Sequence, residues 1–382
     1  MNVARTNDYI AKIYVKDSDF NMFIKTVKRI KRIKRIKKTD VGLCEMYMKG
    51  IWWSPDLFSV MIMLMANEKY LRNITFKIKI NSDDKENIKH HYDVGNDFYM
   101  QWLTDDLHAY TCGFFLHPDD TLNTAQYNKV HTIIKKLDIK PNEDVLDIGC
   151  GWGSIANYIR EKTQANVDGV TISEEQSKFI NTMYPLVKVL KVNIFDMPTD
   201  KKYNKIYSIG AFEHFRCSNY KRFFKKIYDL LKPGGRLVLH TIAHTVTSFS
   251  TCKQQADTYI TKYIFPGGQI PEHYWIMDSA AANNLKSVHV EYYGGYHYHK
   301  TLLHWNNNMM EQKQKILSMN YNDELIRLYE FYFLSCSAVF AQNQLCIGQY
   351  IFEKQKDLTN IDYSFLETDT DENTDENTVQ CF

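Results

Sequence analysis

The segment Val145-Leu146-Asp147-Ile148-Gly149-Cys150-Gly151-Trp152-Gly153 constrains this chain more than any other. A short apolar run reads as a buried strand. Glycines directly after a strand let the backbone turn tightly and come close to a ligand. Helical spacing over 152–161 then opens a helix. The same alternation recurs downstream. Residues 165–172, 205–210 and 236–240 read as strands, and 121–137, 174–183 and 220–231 as helices. Pro233-Gly234-Gly235 makes a turn into the last strand. Repeated βα units specify an α/β fold: a mostly parallel sheet with helices on both faces.

The glycine spacing narrows the ligand. It is G-x-G-x-G, not the G-x-G-x-x-G of a dinucleotide site, and no Lys-Ser/Thr follows to make a P-loop. An acid just before the glycines, Asp147, suits a ligand with a positive amine end. This favours S-adenosylmethionine (SAM) over NAD, with a strand-to-helix turn that binds nothing as the alternative. Nucleotide-binding sheets often end their second strand in an acid. Here the strand ends in Val170-Thr171-Ile172-Ser173, with Gln176 one turn later. Thr171 and Gln176 are polar enough for ribose hydroxyls but uncharged.

Composition bounds the class. The 382 residues allow two or three domains. With 44% hydrophobic and 24% charged residues the chain can build a core, which excludes a disordered or collagen-like polypeptide. The longest apolar run, 57–66, is interrupted by Ser59, whereas a membrane helix needs about 20 apolar residues. The first residues lack the apolar core of a secretory signal. Cysteines stand at 44, 112, 150, 217, 252, 336, 346 and 381 with no C-x-x-C pair, so no metal is expected and a reducing cytosol suits them.

Charge is strongly asymmetric. Residues 1–80 carry 17 Lys and Arg against 7 Asp and Glu, residues 357–382 carry 8 acids and no Lys or Arg, and the middle is neutral. The basic excess concentrates in 25–38, KTVKRIKRIKRIKK, with Ile30, Ile33 and Ile36 every third residue. Such a helix can lie on an anionic membrane surface or hold nucleic acid phosphates, or it can simply be a solvated face. No aromatic residue interleaves the run, which argues against single-strand stacking, and no nucleic acid is expected. The acidic DENTDENT repeat at 371–378 cannot bury enough apolar surface to order itself.

One group of motifs goes further. In order, these are His90-His91-Tyr92-Asp93-Val94-Gly95-Asn96-Asp97-Phe98-Tyr99, Ala109-Tyr110-Thr111-Cys112, the glycine loop and Val170-Thr171-Ile172-Ser173-Glu174-Glu175-Gln176. Gly210-Ala211-Phe212-Glu213-His214-Phe215, Leu239-His240-Thr241-Ile242 and Tyr263-Ile264-Phe265-Pro266-Gly267-Gly268 follow. The order closely resembles cyclopropane-fatty-acyl-phospholipid synthases and mycolic acid cyclopropane synthases over about 90–355. Leu43-Cys44-Glu45-Met46-Tyr47-Met48-Lys49-Gly50 and Trp52-Trp53 are similar, more thinly, to the N-terminal domain of the bacterial phospholipid enzymes.

The resemblance implies a Rossmann-like SAM-dependent methyltransferase sheet plus a small N-terminal, mainly helical domain. The division is 1–80 (basic, lipid contact), 81–120 (linker, polar over 81–88, and lid), 121–356 (methyltransferase) and 357–382 (tail). It implies transfer of a methylene carbon from SAM to the double bond of an unsaturated phospholipid acyl chain. A carbocation is deprotonated by bound bicarbonate and the ring closes. The bicarbonate cage carried over is Cys112, Glu213, His240, the backbone at Ile242, and Tyr298. Around SAM it places Tyr110, Thr111, Asp147, Gly149, Gly151, Thr171, Gln176 and Asn193, with Asp196 competing for the last role. Phe212, Tyr263 and Tyr298 offer π-faces to the cation.

Singly, these residues have ordinary explanations: His240 as a satisfied core histidine, Cys112 as a small hydrophobe, Tyr298 as one of an aromatic cluster. Only their common order gives them weight. The family also implies a homodimer and a cytoplasmic protein held peripherally at an anionic membrane surface. The alternatives are a methyl-branched lipid product, N-methylation of a small amine, or a scaffold without catalysis.

Overall fold

A computed structural model describes residues 14–15, 39–66, 94–244 and 258–355. The basic run 25–38, the linker 81–88, His90 to Asp93 and the acidic tail lie outside the described residues. Within the N-terminal part, β1 (Tyr14–Val15) pairs antiparallel with β2 (Trp52–Trp53), and two helices flank them, α1 (Thr39–Met48) and α2 (Leu57–Ala66). The body then runs α3 (Asn96–Tyr99), α4 (Leu122–Leu137), β3 (Asp144–Ile148), α5 (Ser154–Thr163), β4 (Asn166–Thr171), α6 (Glu174–Met183), β5 (Lys188–Lys191) and β6 (Tyr203–Ile209). It continues with α7 (Tyr220–Leu230), β7 (Leu231–His244), α8 (His273–Ala281), β8 (Leu285–Tyr293), α9 (Tyr296–Glu311), α10 (Lys313–Ser318), α11 (Asp323–Ala341) and β9 (Leu345–Lys354).

The seven-stranded sheet has the order β5-β4-β3-β6-β7-β9-β8. The first five strands are parallel, and β9 runs antiparallel to both neighbours. Side chains alternate across a strand, so each strand feeds two cores. Val145, Val167, Tyr207 and Val238 pack under α4 and α5. Leu146, Ile206, Leu237 and Leu239 pack under α7 and α8. The α/β sheet with helices on both faces is therefore the architecture the sequence specified.

Local chemistry sets most boundaries. The Thr121 hydroxyl accepts from the Thr124 N–H at 3.1 Å and starts α4, and Asp138, at φ +53°, ends it. Two details depart from the sequence reading. The helix after the glycines begins at Ser154 rather than 152, because Gly153 at φ +80° is still in the turn. Pro233-Gly234-Gly235 is not a turn ahead of a strand but a bulge within β7. Leu231 pairs with Tyr203 and Arg236 with Lys205, so the four residues 232–235 stand opposite Asn204 alone.

The N-terminal helices share a third core with α9, α11 and the segment around Phe98 and Trp102. Polar anchors reinforce the junction. Arg327 Nη2 donates to the Trp52 carbonyl at 3.0 Å, and its guanidinium lies over the Tyr47 ring at 4.1 Å. Lys262 Nζ and the Tyr263 hydroxyl both donate to Glu45 Oε1 at 2.6 Å. Among the described residues Cys112, Cys150, Cys336 and Cys346 carry free thiols. Among the described residues no helix is long and apolar enough to cross a membrane.

Candidate active site

Two adjoining hollows sit at the carboxyl ends of the parallel strands, where open α/β sheets bind ligands. The larger, about 760 Å³, is lined by all eight residues expected around SAM: Tyr110, Thr111, Asp147, Gly149, Gly151, Thr171, Gln176 and Asn193. The N–H groups of Gly149 and Cys150 both donate to the Val170 carbonyl, at 2.9 and 3.0 Å, which draws the loop against β4. Gly149 has φ +79°, and a Cβ there would stand 2.4 Å from the Ala211 methyl. Gly151, at φ +54°, would meet nothing within 4 Å, so its backbone is open to a ligand.

Asp147 lies at the floor of this cleft. Burial raises its carboxyl to about 7, partly offset by the Tyr207 hydroxyl and the Lys129 ammonium. The Thr171 hydroxyl donates to Gln176 Oε1 at 2.7 Å. Asn193 Oδ1 accepts from the Phe195 N–H at 3.1 Å, while its competitor Asp196 points to solvent, 3.9 Å from Arg222. An open glycine cradle, a buried acid and uncharged polar groups on the second strand suit a ligand with a cationic amine and a ribose. Trp152 Nε1 donates to Asn96 Oδ1 at 3.0 Å and ties the loop to α3.

The second hollow, about 590 Å³, shares Tyr110, Thr111, Gly210 and His214 with the first. Cys112, Glu213, His240, Ile242 and Tyr298 all line it. Four separate stretches of chain thus bring the expected cage to one place, His240 and Ile242 both coming from β7. Glu213 Oε1 accepts the Ile242 N–H at 2.7 Å. The Ile242 amide therefore holds Glu213 rather than facing the cavity. Among the described residues Glu213 Oε2 is buried with no hydrogen-bond partner, beside Thr241, whose hydroxyl donates to the Ile242 carbonyl at 3.3 Å. Burial raises the Glu213 carboxyl, and the Ile242 N–H opposes the rise. His240 is 2% exposed, and burial, with Lys129 and Lys136 nearby, holds its imidazole well below its ordinary value, so it is neutral. Burial likewise raises the Cys112 thiol and the Tyr298 phenol. Both stay protonated; the Cys112 thiol donates to the Gly113 carbonyl at 3.3 Å, and the Tyr298 hydroxyl can donate into the cavity.

Two rings expected at the cavity are elsewhere. Phe212 packs into the core against Tyr220 at 4.5 Å and Phe223 at 5.0 Å. Successive residues of its 3₁₀ turn, Phe212–His214, point different ways, so Glu213 takes the cavity and Phe212 the core. The Tyr263 hydroxyl is bound to Glu45. Tyr298 does face the cavity, with Tyr110, Tyr220, Phe265, Trp275, Tyr332 and Phe340.

Several lining residues escaped the sequence reading. Tyr332, Cys336, Val339 and Phe340 form a stripe of α11 along the wall. Their spacing is that of any core-facing helix. Lys129 is fully buried, and its ammonium donates to Thr111 Oγ1 and Gln126 Oε1 at 2.6 Å each. Its signal was a lone Lys between Ala125, Val130 and Ile133 on the apolar face of α4.

A sequence model of the family described as mycolic acid cyclopropane synthetase matches residues 79–350. The probable fatty acid methyltransferase of Pseudomonas putida is 31% identical over 277 residues, 71% of this chain and 70% of that protein. The cyclopropane-fatty-acyl-phospholipid synthase of Escherichia coli (strain K12) is 30% identical over 328 residues, 82% of this chain and 83% of that protein. The crystal structure of mycolic acid cyclopropane synthase CmaA1 complexed with SAH and CTAB superposes with a TM-score of 0.63 at 29% identity, covering 70% of this chain and 98% of that one. With the fold, the donor cleft and these likenesses in agreement, the chain belongs to the mycolic acid cyclopropane synthetase family of SAM-dependent methyltransferases.

Proposed function

We propose that this enzyme builds a cyclopropane ring on the double bond of an unsaturated acyl chain carried by a phospholipid, with a bicarbonate ion in the second hollow as the base. The observation that carries the reading is the convergence of Cys112, Glu213, His240, Ile242 and Tyr298 on one largely apolar cavity that shares a wall with the donor cleft. When bound, SAM supplies an activated methyl carbon and bicarbonate a proton acceptor. The sulfur–methyl bond breaks as the carbon joins one olefin carbon. Loss of a proton from that new methyl group then frees the electron pair that closes the ring onto the other.

The chain's own groups do the remaining work. Asp147, Thr171, Gln176 and Asn193 hold the donor, and Tyr110 and Thr111 stand between the two hollows. His240 and Tyr298 offer hydrogens to an anion beside the Cys112 thiol, and Glu213 Oε2 accepts the anion's own O–H. Leu302, Val339, Phe340 and Ile347 keep water away from a cation that would otherwise be quenched as an alcohol. The N-terminal 1–80 unit and its basic run supply the contact with an anionic lipid surface. The exposed Trp53, at 47%, lies on the described part of that unit. The enzyme is then peripheral, cytoplasmic and, as a homodimer, presents two such units.

The test is to incubate the protein with SAM and liposomes of unsaturated anionic lipid, with and without bicarbonate. Acyl chains should gain one CH₂ per double bond and show cyclopropane methylene protons, with turnover rising on bicarbonate addition. No mass gain rejects the reading. The Pseudomonas putida relative is named a probable fatty acid methyltransferase, a name that also fits a second reading, methyl addition without ring closure. It would give the mass gain without cyclopropane protons.

A further inference from the structure

His240 on β7 and Gln349 on β9 are register partners in the antiparallel pair, so their side chains leave the sheet on the same face. Gln349 is fully buried, and its Nε2 stands 3.0 Å from His240 Nδ1. Lys136 reaches over from α4. Its ammonium donates to Gln349 Oε1 and Glu291 Oε2 at 2.5 Å each and to the Tyr293 hydroxyl at 3.0 Å. The Tyr293 hydroxyl in turn donates to Glu291 Oε2 at 2.8 Å. All three ammonium hydrogens therefore have acceptors.

This arrangement decides which way the Gln349 amide points. Turned over, its NH₂ would face an ammonium, donor against donor. As it stands, the carbonyl takes the Lys136 hydrogen and the NH₂ donates to His240 Nδ1. A ring nitrogen that accepts carries no hydrogen, so the imidazole proton must be on Nε2. A second proton on Nδ1 would again set donor against donor. Nε2 has no hydrogen-bond partner among the described residues, and His240 lines the cavity. We propose that Lys136 and Gln349 are positioning residues that lock His240 as the neutral Nε2–H tautomer, so that it serves a cavity anion as a hydrogen-bond donor and not as a base. The role given to the anion rests on the function proposed above; the tautomer does not.

The test is nitrogen NMR on full-length protein labelled at histidine nitrogens, in bicarbonate-free buffer at neutral pH, with His240 assigned by difference against His240→Asn. The expected result is a hydrogen on Nε2 and none on Nδ1. Gln349→Glu offers only acceptors, so it should move the hydrogen to Nδ1 and lower kcat on the order of 10²-fold, the usual loss for one missing anion-directed donor, with SAH affinity unchanged. Lys136→Met should give a mixture of tautomers, and Lys136→Arg should restore the wild-type spectrum. A wild-type His240 that is charged or carries its hydrogen on Nδ1 overturns the proposal. So does a Gln349→Glu protein that keeps the Nε2–H form. Should the variants fail to fold, the wild-type spectrum alone decides. Failure of the anion reading is separate and shows as turnover indifferent to bicarbonate.

Discussion

Lys129 offers the sharpest quantitative test of the buried electrostatics. Lys129→Met keeps most of the volume and removes the charge. The ammonium is fully enclosed, with Asp105, Asp147 and Cys112 as its charged or ionisable neighbours, and its acceptors are Thr111 Oγ1 and Gln126 Oε1. Burial lowers its titration from 10.5 to about 8. At about 1.4 kcal/mol per pH unit, that gap is a cost of about 3 kcal/mol for holding the proton in the fold. The shift is a net quantity, so the hydrogen bonds to Thr111 and Gln126 that favour the ammonium are part of that figure and not an addition to it.

The pH dependence reads that cost directly. A lysine depressed on folding binds fewer protons folded than unfolded between about 8 and 10.5, so stability rises with pH in that window. The cost is present in full below about 8 and gone above 10.5. The stability difference between wild type and Lys129→Met should therefore widen by about 3 kcal/mol as pH climbs through that range. The raised tyrosines titrate in both proteins and cancel. Urea unfolding of both proteins at several alkaline pH values measures the difference. A difference that stays flat or narrows would refute the buried-cation account.

Three further outcomes test the site. Glu213→Gln keeps an acceptor for the Ile242 N–H but places an NH₂ where the anion's O–H should donate, so turnover should fall by about 10²–10⁴-fold while calorimetry shows unchanged SAH binding. Gly149→Ala must put a Cβ 2.4 Å from Ala211 at φ +79°. The left-handed backbone alone costs about 1–2 kcal/mol, so SAH should bind roughly 10-fold more weakly or worse, read by the same calorimetry. Sedimentation with anionic vesicles should weaken steeply as salt rises, and neutral substitutions across 25–38 should abolish the salt dependence.

Much of the sheet was legible because its signals are local. The Val145 to Ile148 run, the glycines behind it and the repeated helix–strand alternation depend only on neighbours in sequence. Cap residues such as Thr121 and Ser173 set helix starts by bonding three residues ahead. The bulge at Pro233-Gly234-Gly235 was not legible, since pairing with β6 decides it.

By itself, then, the sequence determined the α/β class, the glycine cradle and the candidate cage, the last only through the order of its motifs. Tertiary structure alone decided which way each side chain turns. It sent Phe212 into the core and Glu213 into the cavity, and it gave the Ile242 amide to Glu213. It also buried Lys129 beneath Thr111 and set Lys136 and Gln349 behind His240. These outcomes depend on which distant groups meet in three dimensions and on how little water reaches them, and neither quantity is written in local spacing.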